Sequence, residues 1–237
     1  MNEKTRLAIL EHAAAEFPRE CCGVLIVKKG KEVYIPCRNL APSNILHFIM
    51  DGQDYAKAED EGDVLAIVHS HINESPTPSQ ADLVSCEQTG VPWIIVSMPT
   101  KQFHHFEPNG YVAPLIGRVF SYGVLDCYRL ARDYYKQELN IDLKDFDRNG
   151  EWWHSGEDYM LERLEEADLI VVDQKDMQPH DLIFMQVGAN VANHVAIYLG
   201  NGIILHHVMR RLSCREVYGG FWEKHTRVVT RHRSLMR

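Results

Sequence analysis

Short apolar runs alternate with amphipathic segments over the first hundred residues. The continuous runs VLAIV (64–68) and WIIVSM (93–98) are typical of strands buried on both faces of a sheet. This alternation indicates an α/β domain. The remaining predicted elements are an amphipathic helix (3–17), a hairpin with Gly30 in its turn (23–36), a short polar helix (54–62) and a helix closed by Gly90 (79–90).

The second half has a different pattern, in which helices precede a run of strands. Residues 126–139 carry an apolar helical face, and YMLERLEEA (159–167) predicts a second helix. The stretch HVAIYLGNGIILHHV (194–208) predicts an antiparallel hairpin. Helices followed by antiparallel strands make this half α+β, and α+β is the class expected for the whole chain.

The segment EPNGYVAPLIG (107–117) breaks the pattern of elements with two prolines and two glycines. Such residues interrupt both helices and strands, so we predict a linker here. The expected domains are therefore residues 1–106 and 118–237. A chain of 237 residues is long enough for two small domains.

Composition excludes several classes of protein. The net charge of −8, without a long run of one sign, argues against non-specific binding to nucleic acid. The chain has neither an 18-residue apolar span nor a signal peptide's apolar core, so we expect it to be made in a cytoplasm. Its six cysteines have no disulfide-framework or paired C-x-x-C zinc spacing, and we interpret them as reduced thiols.

The stretch HSHINESPTPSQAD contains a candidate metal site. His69 and His71 are two apart at the end of a predicted strand, so their side chains share a face. Imidazole suits zinc, and Asp82, in the first turn of the next helix, is a candidate third ligand. The alternative is a helix cap with solvated histidines nearby, because Ser79-x-x-Asp82 resembles a capping box.

The spacing H-S-H, seven residues, S-x-x-D resembles the motif of the JAMM (MPN+) zinc peptidases. That family also has an upstream glutamate, and RECCGVLIV places Glu20 there. The resemblance implies an α/β domain with a mixed sheet. It implies Zn²⁺ held by His69, His71 and Asp82. It implies Glu20 as the group that moves the proton of the attacking water, and Ser79 as a donor to the oxyanion.

Cys127 is a candidate nucleophile at the start of the predicted helix 126–139. The positive end of a helix dipole lowers a thiol pKa, which favours the reactive thiolate, although most free cysteines are simply buried. The hairpin offers His194 as a base. A three-residue GNG loop places His206 on the same face as His194, whereas a two-residue NG turn places His207 there.

The second half resembles the NlpC/P60 family of papain-like peptidases in DC, PHDLIF and HVAIYLGNG…LHH. The resemblance implies Cys127 as nucleophile, His194 as general base and His206 as the residue that orients it. It also implies cleavage of stem-peptide bonds in bacterial peptidoglycan. Many members have D-C-S-G where this chain has Tyr128 and Arg129 after the cysteine, so we expect bulky residues there to reshape the substrate cleft.

A JAMM domain followed by an NlpC/P60 domain resembles the tail tip assembly proteins of lambda-type phages. This implies assembly in the host cytoplasm, a place in the virion tail tip, and partners among other tail tip proteins. The alternative is a mainly structural protein whose sites process a tail partner or are weakly active. The adjacent Trp152 and Trp153 favour packing over a sugar- or peptide-binding platform.

Overall fold

The computed structural model describes residues 1–41, 48–148, 152–154 and 156–236. The chain divides into two compact units, Met1–Val112 and Ala113–Arg237, and each is described separately below. The division falls within the segment 107–117. No helix in the described ranges is long and apolar enough to cross a bilayer.

The N-terminal unit is built on a mixed five-stranded sheet in the order β2-β1-β3-β4-β5. Strands β3 and β4 run parallel, and the other neighbours are antiparallel. This confirms the mixed sheet that the resemblance to the JAMM peptidases implies. The elements are α1 (Glu3–Glu16), β1 (Cys22–Lys28), β2 (Lys31–Cys37), α2 (Gly52–Glu61), β3 (Asp63–His71), α3 (Gln80–Thr89), β4 (Trp93–Ser97) and β5 (Phe103–Phe106).

Helices cover both faces of this sheet, which is why its central strands are continuously apolar. Ile9 and Ala13 of α1 pack on Leu25 in a cluster on one face. Ala58 of α2 packs with Val24 in a separate cluster on the other. Because successive strand residues alternate faces, the carboxyl end of β3 is held between two packed layers.

The C-terminal unit is a six-stranded antiparallel sheet with one long helix packed on it. The strand order is β10-β9-β8-β7-β11-β6, and every pairing is antiparallel, as the hairpin pattern predicted. The elements are α4 (Cys127–Leu139), β6 (Leu169–Val172), β7 (Leu182–Met185), β8 (His194–Gly200), β9 (Ile203–His206), β10 (Cys214–Val217), α5 (Phe221–Lys224) and β11 (Thr226–His232).

The helix predicted at residues 159–167 is wrong. The structure has only a 3₁₀ turn at Leu161–Arg163, followed by irregular turns that end at Asp168 with a φ of 54°. The backbone bonds alternate between three- and four-residue spacings, since the Asp158 carbonyl accepts from both Leu161 and Glu162. The apolar residues Met160, Leu164 and Ala167 pack in the core of the unit from these turns, without a regular helix.

Two candidate active sites

The end of β3 places His69 and His71 on one face and buries both. These residues are 1% and 6% exposed, respectively. The ring of His69 stacks on Phe48 with centroids 4.7 Å apart. His71 Nδ1 lies 2.8 Å from the Ser75 carbonyl oxygen, which can only accept, so this nitrogen carries the proton. Its Nε2 is therefore the atom available to a ligand.

Asp82 is at once a helix cap and a partner of both histidines. Its backbone N–H donates to Ser79 Oγ at 3.1 Å, and its Oδ2 accepts from the Ser79 N–H at 2.7 Å, which completes a capping box on α3. The same carboxylate lies 3.2 Å from His69 Nε2 and 3.3 Å from His71 Nε2. The cap and the histidine cluster, which were alternatives in the sequence, coexist in the fold.

Glu20 lies near the cluster of His69, His71 and Asp82 because hydrogen bonds hold the start of β1 beside β3. The Cys21 N–H donates to Ser70 Oγ at 2.8 Å, and the Asn39 amide donates to the Glu20 carbonyl oxygen at 2.9 Å. Burial raises the pKa of the Glu20 carboxyl, while the nearby His69 and His71 act in the opposite direction. A carboxyl with a raised pKa is suited to accepting and returning a proton near neutral pH.

The charges of the cluster balance each other. Although burial acts against its protonation, hydrogen bonds to Asp82 and Ser75 raise the pKa of His71 to about 9. Burial also acts against ionisation of Asp82, but His69, His71 and Ser79 outweigh it and lower the pKa of this carboxyl. Without a metal ion, His71 is therefore an imidazolium and Asp82 is a carboxylate. The proton on His71 lies at the position that a metal ion would take.

The donor atoms suit a zinc ion. The ligand atoms of His69, His71 and Asp82 all lie within 4.8 Å of one another. The two nitrogen–oxygen distances of 3.2 and 3.3 Å are close to the separation of about 3.4 Å between ligands in tetrahedral zinc with bonds of about 2.0–2.1 Å. Two imidazoles and one carboxylate leave a fourth position open, which is the ligand pattern of catalytic zinc.

In the C-terminal unit, Cys127 is the first residue of α4 and is 7% exposed. The N-cap residue Asp126 accepts from the Arg129 N–H at 2.7 Å and forms a buried ion pair with Arg148 at 2.9 Å. The backbone N–H of Val195 lies close enough to the Cys127 sulfur to act against the rise of the thiol pKa. Cys127 therefore lies between a helix N-terminus and the second residue of β8.

The expectation that the helix N-terminus lowers the pKa of the Cys127 thiol is wrong. Burial, with a smaller contribution from the Asp126 carboxylate, raises the pKa of Cys127 to about 12. The Val195 N–H and the Arg148 guanidinium offset only part of this shift. Desolvation of a thiolate outweighs the dipole of one helix end.

His194 and His206 meet across the hairpin of β8 and β9. Ala196 pairs with His206, which is the register of the longer loop, and His194 Nε2 lies 3.3 Å from His206 Nδ1. Burial lowers the pKa of His194 to about 3, with smaller effects from His206 and His207. Because Nε2 faces His206, Nδ1 is the His194 nitrogen left for Cys127. At neutral pH the thiol and the imidazole are both uncharged.

A cleft in the C-terminal unit contains Cys127 and His194 together. Trp153 stacks on Tyr122 there, with ring centroids 5.8 Å apart, so the tryptophan pair contributes to a cleft wall. The lining residues are Phe120, Tyr122, Asp126, Cys127, Arg148, Trp152, Trp153, Met160, Val187, Asn193, His194, His207, Val208, Met209 and Trp222.

The residues after the cysteine do not narrow this cleft, contrary to expectation. Tyr128 is 4% exposed, and its hydroxyl donates to the Lys144 carbonyl oxygen at 2.9 Å, within the core. Arg129 pairs with Asp133 one turn along the helix at 2.9 Å. Neither residue lines the cleft that holds Cys127.

Three residues near the thiol site belong to no motif that would have predicted them from the sequence. Arg148 pairs with the Asp126 cap, Glu216 Oε2 lies 2.8 Å from His206 Nε2, and the Trp222 ring meets His206 edge-on at 4.6 Å. His207 is fully buried beside the Phe120 ring and lines the cleft. Because His206 is the residue that pairs with Ala196, His206 and not His207 shares a strand face with His194.

Comparison with known families matches each half of the chain. Residues 2–107 match the prokaryotic homologues of the JAB domain, and residues 117–231 match the NlpC/P60 family. The protein therefore joins a JAB/MPN domain to an NlpC/P60 domain, in the order that the motifs predicted. Both domain types are characteristic of peptidases or other hydrolases.

Comparison with curated proteins adds full-length relatives. The chain is 40% identical to tail tip assembly protein K of Escherichia phage N15 over 237 residues, which covers 99% of this chain and 97% of that protein. It is 39% identical to the protein of the same name from Escherichia phage lambda over 78% of this chain and 90% of that one. A CysO-cysteine peptidase of Mycobacterium tuberculosis is 29% identical over 44% of this chain and 75% of its own length. The chain belongs to the tail tip assembly protein K family of phages.

The neutral state of the thiol predicts slow, pH-dependent alkylation of Cys127. Below a pKa of about 12, the thiolate fraction rises tenfold per pH unit, so we expect the iodoacetamide rate at Cys127 to rise about tenfold per unit from neutrality upward. The only cysteine that is not buried, Cys214, should be modified first at neutral pH. Peptide mapping by mass spectrometry measures both sites. Faster modification of Cys127, with a rate that levels off near neutrality, would contradict a neutral thiol.

Proposed function

We propose that this chain is a tail tip component with two separate peptidase sites. The C-terminal site hydrolyses stem-peptide bonds of bacterial peptidoglycan, and the N-terminal site is a zinc-dependent peptidase or isopeptidase. The observation that carries the proposal is that Cys127 and His194, far apart in the chain, line one cleft, with His206 Nδ1 3.3 Å from His194 Nε2. The membership of the NlpC/P60 family supports the same chemistry.

At the thiol site, the neutral pair acts by proton transfer during attack. Cys127 attacks the substrate carbonyl while His194 Nδ1 accepts the thiol proton, and His194 then delivers that proton to the leaving amine. A water molecule hydrolyses the resulting thioester. For Nδ1 to accept, the His194 proton must lie on Nε2, where it donates to His206 Nδ1. His206 is thus a positioning residue that selects the productive tautomer.

At the N-terminal site, zinc bound by His69, His71 and Asp82 would supply a Lewis acid and lower the pKa of a coordinated water towards about 7. Glu20 takes up the proton of the attacking water and returns it to the leaving amine. Ser79 Oγ accepts from the Asp82 N–H, so the hydroxyl proton remains free to donate to an oxyanion. The JAB-family match supports these assignments.

The relatives' shared name supports the place of action. We propose partners among other tail tip proteins, assembly in the host cytoplasm and a final position in the virion tail tip. A phage tail must cross the peptidoglycan layer, and a site that hydrolyses peptidoglycan would open a path for it.

The zinc assignment predicts the metal content of purified variants. We expect His69→Ala to retain about one equivalent of zinc less than the wild type, because one of three ligands is lost. The control is His105→Ala, which removes an exposed histidine of β5 and should bind as much zinc as the wild type. Elemental analysis after dialysis measures both. Equal zinc in the wild type and His69→Ala would rule out this metal site.

The thiol assignment predicts cleavage of purified stem peptides by the full-length protein. Cys127→Ala should lower the rate at least about a thousandfold, because no other group forms the thioester. His69→Ala should cleave the same peptides like the wild type, since its site is separate. Chromatography of the products measures both rates. Cleavage by Cys127→Ala equal to wild type would contradict the assignment.

A second function, as an assembly scaffold with weak or single-use activity, is favoured by one observation. Cys127 is buried, with a pKa raised to about 12, as in a resting rather than a primed site. Particles made with Cys127→Ala separate the two functions. Normal tails that infect poorly indicate an entry enzyme, whereas missing tails indicate processing or assembly.

A further inference from the structure

A second set of metal-binding side chains lies at the β9–β10 edge of the C-terminal sheet. Cys214 pairs directly with His206 across the two strands, and Glu216 is two residues along β10 on the same face. One ligand atom from each residue lies within 4.8 Å of the other two. A sulfur, an imidazole nitrogen and a carboxylate oxygen are all ligands that zinc accepts.

His206 Nε2 provides an independent sign that this cluster binds something. The residue is 1% exposed, and its Nε2 makes no well-aligned hydrogen bond among the described residues. Glu216 Oε2 lies 2.8 Å from it, but away from the direction in which an Nε2–H would point. A buried ring nitrogen without an aligned partner is costly, and a metal ion at this position would satisfy it.

We propose that His206, Cys214 and Glu216 form a second site for a thiophilic divalent cation such as Zn²⁺, distinct from the site on His69, His71 and Asp82. Cys214 binds as the thiolate and releases its proton to solvent. Glu216 binds as the carboxylate, and His206 Nε2 provides its lone pair. Cys214 is half-buried and Glu216 is about one-third exposed, so an ion has access and a fourth position stays open to water.

Glu216 has two partners, one on each carboxylate oxygen, and the ion pair with Arg211 competes only weakly with an ion. The Trp222 Nε1–H donates to Oε2 at 3.2 Å, and Arg211 lies 3.5 Å from Oε1. Arg211 is half-exposed, and exposed ion pairs of this kind contribute little. One carboxylate oxygen can therefore keep a partner while the other binds the ion.

Occupancy of this site has a consequence for the thiol centre, which rests on the proposed function. A neutral His206 that binds an ion through Nε2 must carry its proton on Nδ1, which lies 3.3 Å from His194 Nε2. That proton then donates to His194 Nε2 and forces the His194 proton onto Nδ1, facing Cys127. His194 can no longer accept the thiol proton, so the bound ion inhibits hydrolysis.

Cobalt substitution of the full-length protein tests the site without any activity assay. A sulfur-to-cobalt charge-transfer band in the near ultraviolet reports a thiolate ligand, and the N-terminal site has no sulfur ligand. We expect one equivalent of this band in the wild type and in His69→Ala, and none in Cys214→Ser. Cys127→Ser is the matched control and should keep the band, because its thiol is not a ligand.

Two results would overturn the site: no charge-transfer band in the wild type at saturating Co²⁺, or a band that persists in Cys214→Ser. Glu216→Gln guards against misfolding of the cysteine variant, since it keeps the thiol and the side-chain shape. We expect its cobalt affinity at this band to fall at least about tenfold. An unchanged affinity would also contradict the ligand set.

Inhibition is tested by titrating Zn²⁺ into stem-peptide hydrolysis, with each variant normalised to its own metal-free rate. We expect at least tenfold inhibition of the wild type and at least tenfold more zinc for the same inhibition of Cys214→Ser. The proposed inhibition is wrong if the wild type stays active at Zn²⁺ concentrations that fill the site, with binding established by the cobalt experiment. If no protein cleaves any stem peptide, the proposed function fails, and the cobalt band still decides the metal site.

Discussion

Burial of ionisable side chains at strand ends is the constraint on which both sites depend. A charge in the interior persists only if a partner or an ion balances it. At the N-terminal site, His71 and Asp82 balance each other as imidazolium and carboxylate, so the cluster holds a charge that a cation can replace. At the thiol site no such balance exists, and Cys127 and His194 both remain neutral.

Sheet geometry delivers these groups to fixed positions. His69 and His71 share a face of β3 and contact Asp82 in the cap of the following helix. The pairing register of β8 and β9 brings His194 and His206 together. Because a slip of one residue would turn His206 to the other face, the Gly200–Gly202 turn determines the chemistry of a site several residues away. The functional groups are thus positioned by backbone pairing rather than by flexible loops.

The motif residues could be predicted because their spacing matches local geometry. His69 and His71 follow the two-residue strand repeat, and the Asp82 position follows the capping pattern. The pKa of Cys127 could not be predicted, since it depends on burial by distant strands rather than on the helix that starts there. Arg148 and Glu216 escaped prediction for the same reason: only tertiary packing brings them to Asp126 and His206. Helical periodicity at 159–167 was misleading because the apolar residues of the segment reach the core from a 3₁₀ turn and irregular turns.

The protonation state of His194 tests most directly whether burial controls the thiol site. Chemical shifts of the histidine ring ¹³C and ¹⁵N nuclei report it in the full-length protein, with His194→Gln assigning the signal. With a pKa lowered to about 3, the ring should stay neutral and its shifts should not move between about pH 5 and 8. A titration with a midpoint near the ordinary histidine value of about 6.5, or above it, would contradict the account.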